Sequence, residues 1–189
     1  FAGIGCGDPA TETEETTEEA ATTEDEPMDA APEVVESGEN YEILMMDAEP
    51  TSPRKELQAT VGGAAVVINY GSPSVKGRQI WGEGGLEPYD EVWRTGANEA
   101  TTFEVTQDVT IEGETLPAGK YGLFTIPGAE EWVIIFNENG DQWGDSEYDE
   151  SQDVLRVSVT PQEIGSRETM DFVADGDAVV LQWADVAVP

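Results

Sequence analysis

The chain has no histidine, one cysteine, and only 8 Lys and Arg residues against 41 Asp and Glu, a net charge of −33 over 189 residues. Each shortage excludes something. Without histidine there is no imidazole general base, no Ser-His or Cys-His pairing, and no His-ligated zinc. The single thiol, Cys6, can form no disulfide within the chain and no cysteine metal cluster. A surface this acidic repels nucleic acid phosphates and anionic headgroups, so neither is expected as a partner. No segment approaches the roughly 20 apolar residues that a membrane-spanning helix needs. Helical periodicity is also scarce, and alternation of period two takes its place.

The charge that is present is unevenly spread. Sixteen of the 41 acids lie before Thr51, where there is no Lys or Arg; the remaining 25 face all 8 bases, a net of −17. Only this second part has the aromatic and β-branched residues of a core, and all five Trp lie at or beyond Trp81. One domain plus a tail is the economical division. Lysine is restricted to Lys55, Lys76 and Lys120. That pattern suits adaptation to high salt, where screening removes self-repulsion; a cation-binding or secreted acidic protein is the other reading.

The amino-terminal FAGIGCGDPA sets small and apolar residues before Cys6 and an acidic, Thr/Glu-rich tract after it. This resembles the end of a bacterial lipoprotein signal peptide over residues 1–6, with Gly5 preceding the cysteine. On that reading the chain derives from a longer precursor, Cys6 is lipidated, and any membrane association runs through the lipid. Residues 7–51 are expected to be an acidic disordered tether. TETEETTEEAATTEDEPMDAAPEVVESGEN cannot bury enough apolar surface to offset its ordering entropy. YEILMM (Tyr41–Met46) is the apolar island in it and is expected to dock on the domain.

Residues 52–189 read as β-structure. AAVVINY, TTFEVTQDVTIEG, YGLFTIP, EWVIIFNE, DVLRVSVTP and ETMDFVADGDAVVLQW give short runs separated by Gly, Pro, Asn and Asp. In LPAGKY, Gly119 is expected to supply a positive φ; Asn139-Gly140 reads as a turn, and Asp175-Gly176 as a tight primed turn. Seven or eight strands at this spacing predict an all-β fold, an antiparallel β-sandwich, behind the disordered acidic tail.

Four longer motifs, SPSVKGRQIWG, LEPYDEVWRTGANEATTFEVTQDVTIEGETLPAGKYGLFTIPG, EEWVIIFNENGDQWG and YDESQDVLRVSVTP, occur in that order. They resemble a bacterial family known as domain of unknown function 2911, from about Ser52 to the carboxyl end. The resemblance implies an extracytoplasmic all-β domain, often behind a signal peptide or lipoprotein box. It implies no activity.

The polar residues that stand out are Lys76, Arg78, Arg94, Asn98 and Glu99, with Trp93 beside them. Arg94 could clamp a carboxylate or other anion, with aromatic walls around it. The structural alternative is that Arg94 pairs with an acid such as Glu99 and ties the turn at Gly96 to the sheet. The loop from Asn137 to Asp153 is dense in Asp, Asn and Glu and invites a calcium reading, but Gln142 stands where an EF-hand needs glycine. No metal or other cofactor is therefore assigned. Trp143 and Tyr148 are expected to cover an end of the sandwich rather than stack on sugar. The reading that results is a lipid-anchored, extracytoplasmic module of the bacterial envelope that binds a small anionic ligand, a glycan or an envelope protein. The alternative is a His-free hydrolase or lyase built on Glu99 and Arg94. The high-salt reading has its own test. The urea midpoint of unfolding should rise between low and molar potassium chloride, and a flat response would remove it.

Overall fold

A computed structural model describes residues 31–189. Cys6, the lipoprotein-like segment and most of the expected tether lie outside the described residues. Among the described residues there are twelve strands, a 3-10 turn at Glu150–Gln152, and no α-helix. Ten of the strands are β1 (Glu33–Ser37), β2 (Tyr41–Asp47), β3 (Arg54–Val61), β4 (Ala64–Gly71), β5 (Thr101–Val105), β6 (Val109–Ile111), β7 (Glu114–Leu116), β8 (Gly119–Ile126), β9 (Trp132–Asn137) and β10 (Asp153–Val159). The last two are long, β11 (Gln162–Asp175) and β12 (Ala178–Val188). Eight strands form one antiparallel sheet in the order β1-β2-β3-β4-β5-β8-β9-β10, while β6–β7 and β11–β12 are separate hairpins.

The expected sandwich is present with unequal layers. Alternate residues of the large sheet, among them Leu57, Ile68, Phe103 and Leu123, share one core with Met170, Phe172, Leu181 and Trp183 of the long hairpin. A polar clamp fixes the two layers at one place. Asp171 accepts hydrogen bonds from Lys55 Nζ (2.5 Å), Tyr70 Oη (3.0 Å) and Thr169 Oγ1 (3.1 Å). Burial and the neighbouring Asp171 carboxylate push the Tyr70 phenol well above its ordinary value.

The strand count exceeds expectation at β3, which no expected run covers, and at two further places, the first of them a correction. Residues 33–47 are strands β1 and β2 rather than tether. Tyr41 to Asp47 pairs with Arg54 to Ala59, and Ile43 and Leu44 are buried in the core. The apolar island thus docks as expected, and it does so as a full member of the sheet. Its acidic neighbours take the edge strand β1, whose residues are all exposed. The second addition is β6–β7, where Ile111 opposes Glu114 and the two-residue loop Glu112-Gly113 has φ of +49° and +87°. Positive φ at both positions is what a type I′ turn requires. Gly119, expected at positive φ, lies instead within β8, close against the Tyr121 ring.

The connection from β4 to β5, residues 72–100, crosses from the interior to the outer face of the sheet. Trp93 exchanges backbone hydrogen bonds with Thr125 (2.8 and 2.9 Å), extending the line of β5 along β8. The loop can lie this close because Gly71 has no side chain: a Cβ there would stand 2.1 Å from the Ala97 carbonyl oxygen. If β1 and β2 belong to the fold, Ile43→Ala should cost about 2–5 kcal/mol in chemical denaturation. A chain beginning at residue 52 should unfold at lower denaturant than one beginning at residue 31. Equal midpoints would return this segment to the tether.

Candidate functional site

The face of the large sheet turned away from the hairpin carries the site. Along β3, β4, β5 and β8 this face presents Glu56, Asn69, Thr102, Glu104 and Lys120, set side by side by the register Glu56↔Asn69, Asn69↔Thr102 and Glu104↔Lys120. Alternation explains the polarity, since the intervening residues face the core. At the β8–β9 end the same face is apolar. There Phe124 and Ile135 pack under Ala100, Val92 and Tyr148 from the overlying loops.

A cleft of about 560 Å³ opens on the polar half. Arg54 is its anchor. Nε donates to Asn69 Oδ1; Nη2 donates to the carbonyls of Asn69 and Ala100 (both 3.2 Å), and Nη1 to that of Glu99 (3.3 Å). The Glu99 carboxylate stands 3.6 Å from Nη1, at 54% side-chain exposure. Burial pulls the Arg54 pKa down and Glu99 opposes that pull. Asn69 donates in turn to Glu56 (3.3 Å), so Arg54, Asn69 and Glu56 form one oriented row.

The opposite wall is the loop Gly140 to Trp143. It lies directly on the sheet because Gly140 and Gly122 face each other, where a Cβ on Gly122 would stand 2.6 Å from the Asn139 oxygen. The Gln142 carbonyl accepts from Ala100 N (3.0 Å), and the Asn98 carbonyl accepts from Gly144 N (3.1 Å). Gln142 is buried, its amide nitrogen donates to Asn139 O (2.9 Å), and its Oε1 has no protein partner. Trp143, expected to cover an end of the sandwich, instead stands at the rim with 66% of its surface exposed. Tyr148 does cover the sheet, packing on Phe124 and donating to Asp153 (2.7 Å).

The residues singled out in the sequence are divided among several places. Glu99 lines the cleft, and its partner is Arg54, not Arg94. Arg94 pairs with Asp145 at 3.4 Å, which corrects the expected Arg94–Glu99 tie. Asn98, at φ +66°, ties the two loops through its carbonyl and reaches Ser52 O at 3.5 Å. Trp93 is wholly interior, its Nε1 donating to Gly96 O (3.1 Å). Lys76 is exposed at φ +48°, where its backbone N–H meets Glu168 (2.8 Å). Arg78 folds onto its own loop, donating to Ser74 O (2.6 Å) and Val75 O (3.1 Å). Several acids of the 137–153 loop also have partners: Asp145 holds Arg94, Asp149 accepts from Ser151, and Asp153 accepts from Tyr148, Arg156 and Asn137. Among the described residues, no group of three or more acidic or thiol side chains gathers as metal ligands.

Sequence reasoning missed Arg54, Asn69 and Glu87. Nothing marks Arg54 locally, because its role comes from a strand neighbour 15 residues away and a loop neighbour 45 residues away. Glu87 is half-buried; desolvation pushes its carboxyl up to about 7, Asp145 adds to the rise, and Arg94 and Arg78 oppose it.

An all-β, antiparallel, sandwich-like domain with one polar cleft over its larger sheet is thus the class of protein these features define. The family described as "Protein of unknown function (DUF2911)" matches residues 52–189, and the chain belongs to it. No curated protein and no solved structure matches the chain.

Glu87 generates a pH prediction. Its folded pKa lies above the ordinary carboxylate value, so the folded state binds the extra proton and stability falls as pH rises from about 4.5 to about 7. Glu87→Gln should remove that slope and be more stable than wild type at pH 8 by about 1–3 kcal/mol, with little difference at pH 4. Parallel pH profiles for the two proteins would refute the assignment.

Proposed function

We propose that this domain is a non-enzymatic binding module whose outer-face cleft holds a neutral glycan, carried outside the cytoplasm on a lipidated Cys6. The observation that carries the reading is Trp143. A tryptophan left 66% exposed at the rim of a polar cleft offers an apolar plate beside hydrogen-bonding groups. Sugars have that same division, with C–H faces that stack on a ring and hydroxyls around the edge.

The floor suits the hydroxyls. Lys120 donates, Glu56, Glu99, Glu104 and Asp141 accept, and the buried Gln142 Oε1 can accept a further hydrogen bond, while Arg54, its N–H groups already taken by the protein, anchors the floor. Strand pairing fixes the backbone under Glu56, Glu104 and Lys120, and Asn69 and Arg54 hold the Glu56 and Glu99 carboxylates, which limits the ordering cost of binding. Four carboxylates against two cations make the cleft negative, which favours a neutral ligand over the small anionic one also expected from the sequence. Arg94, the anion clamp of that expectation, already has a carboxylate in Asp145. The hydrolase alternative needs Arg94 to work with Glu99, and the two take different partners. The acidic amino-terminal stretch and the Cys6 motif support an extracytoplasmic setting.

Affinity electrophoresis through gels containing neutral polysaccharides tests the reading. At least one should retard the wild type, and Trp143→Ala should lose the retardation while keeping its thermal midpoint, since an exposed ring contributes little to folding. No retardation by any neutral polysaccharide, or retardation unchanged in Trp143→Ala, would overturn it.

A further inference from the structure

The opposite face of the large sheet holds a second opening. Between the sheet and the long hairpin lies a cavity of about 500 Å³. Close-packed interiors have few voids larger than a water molecule, whereas ligand sites fall at about 300–1,000 Å³. Its walls are apolar, with Val66, Ile68, Phe103, Leu123, Phe136 and Leu181 among them. Ala64 and Ile68 both line it, so it runs for at least four residues of β4, roughly 13 Å at the rise of a strand. Such a shape fits an extended chain better than a compact ring.

The two ends differ in chemistry. Deep inside are Thr95 and Thr125, both almost wholly buried. Thr95 is held at φ +54°, an uncommon conformation for a β-branched residue. Its hydroxyl lies 3.2 Å from that of Thr125 and 3.3 Å from Trp93 O, so the floor demands no hydrogen bond from an occupant. The outer end is formed by turns: Gly62, Gln107-Asp108, Glu112 and Asp177, all exposed. Asp108, Glu112 and Asp177 come from three different connections, and no Lys or Arg lines the cavity.

We propose that the interlayer cavity is a binding site for a single-chain amphiphile whose head is uncharged or cationic. The alkyl chain lies along β4 between the layers, and the head stays at the carboxylate-ringed mouth. An anionic head, such as that of a free fatty acid, meets three like charges there and is disfavoured. This site shares no lining residue with the glycan cleft, so either can fail without the other.

The test uses N-phenyl-1-naphthylamine, an uncharged probe that fluoresces in apolar surroundings, at the lowest salt in which the protein is folded. Wild type should bind it. Val66→Phe, which fills the middle of the cavity, and Val179→Trp, which narrows its outer part, should each weaken binding at least about tenfold. Circular dichroism checks that each is folded, and if Val66→Phe is not, Val179→Trp decides. Lauryl alcohol and laurylamine should displace the probe about tenfold more effectively than laurate, with the gap closing in molar salt as the mouth is screened. A probe that does not bind, or that binds folded variants as well as wild type, overturns the site. Laurate competing as well as lauryl alcohol at low salt overturns the assignment of the head.

Discussion

Four tryptophans at one junction tie together everything else in this domain. Trp81 and Trp93 come from the long β4–β5 connection, Trp132 from the sheet and Trp183 from the hairpin. Trp81 lies edge-on to Trp132 at 4.9 Å and to Trp183 at 5.4 Å, and Trp93 stacks on Trp183 at 5.8 Å. Rings of this size supply much of the buried area of a small core, and their preferred geometries fix orientation as well as distance. The connection, sheet and hairpin are therefore joined at a point that none of them could form alone. Once Trp93 is seated, its neighbours have no freedom. Thr95 is turned into the interlayer space, and Arg94 goes to the outer surface to meet Asp145.

The large sheet then separates two environments that a single strand alternation generates. On one side, Val66, Ile68 and Phe103 line an apolar space beneath the hairpin; on the other, Asn69, Thr102 and Glu104 floor a polar cleft. Successive residues of one strand thus face surroundings of opposite character. The scarce cations are placed where carboxylates would otherwise crowd. Arg54 sits between Glu99 and Asn69, Lys55 meets Asp171, and Arg156 meets Asp153 and Glu150. In a chain of net charge −33 such placement relieves local repulsion as well as forming pairs. Glu87 is where relief is incomplete, since Arg94 and Arg78 do not offset its desolvation.

Much of the fold was legible in local pattern. The alternation in DVLRVSV matches the observed exposure of Val154, Arg156 and Ser158 and the burial of Val157 and Val159. The hairpin around Gly176 is present, with Asp175 opposite Ala178. Strand β1 was hidden because its composition is that of the acidic tail; YEILMM stood out as apolar, and what composition did not show is that it docks as a strand of the sheet, with Ile43 and Leu44 buried. The type I′ turn at Glu112-Gly113 was hidden because glutamate is not the usual first residue of such a turn.

The sequence by itself determined the all-β class, the acidity and the absence of imidazole chemistry, since these rest on composition and on periodicity within short windows, and its four long motifs carried the resemblance to the family. Tertiary structure alone decided the partners. Arg94 and Glu99, five residues apart, were expected to meet, yet the left-handed turns at Thr95 and Asn98 send them to different neighbours, Asp145 and Arg54. Which of many carboxylates an arginine meets depends on how strands distant in sequence are registered, and local propensity carries no information about that register.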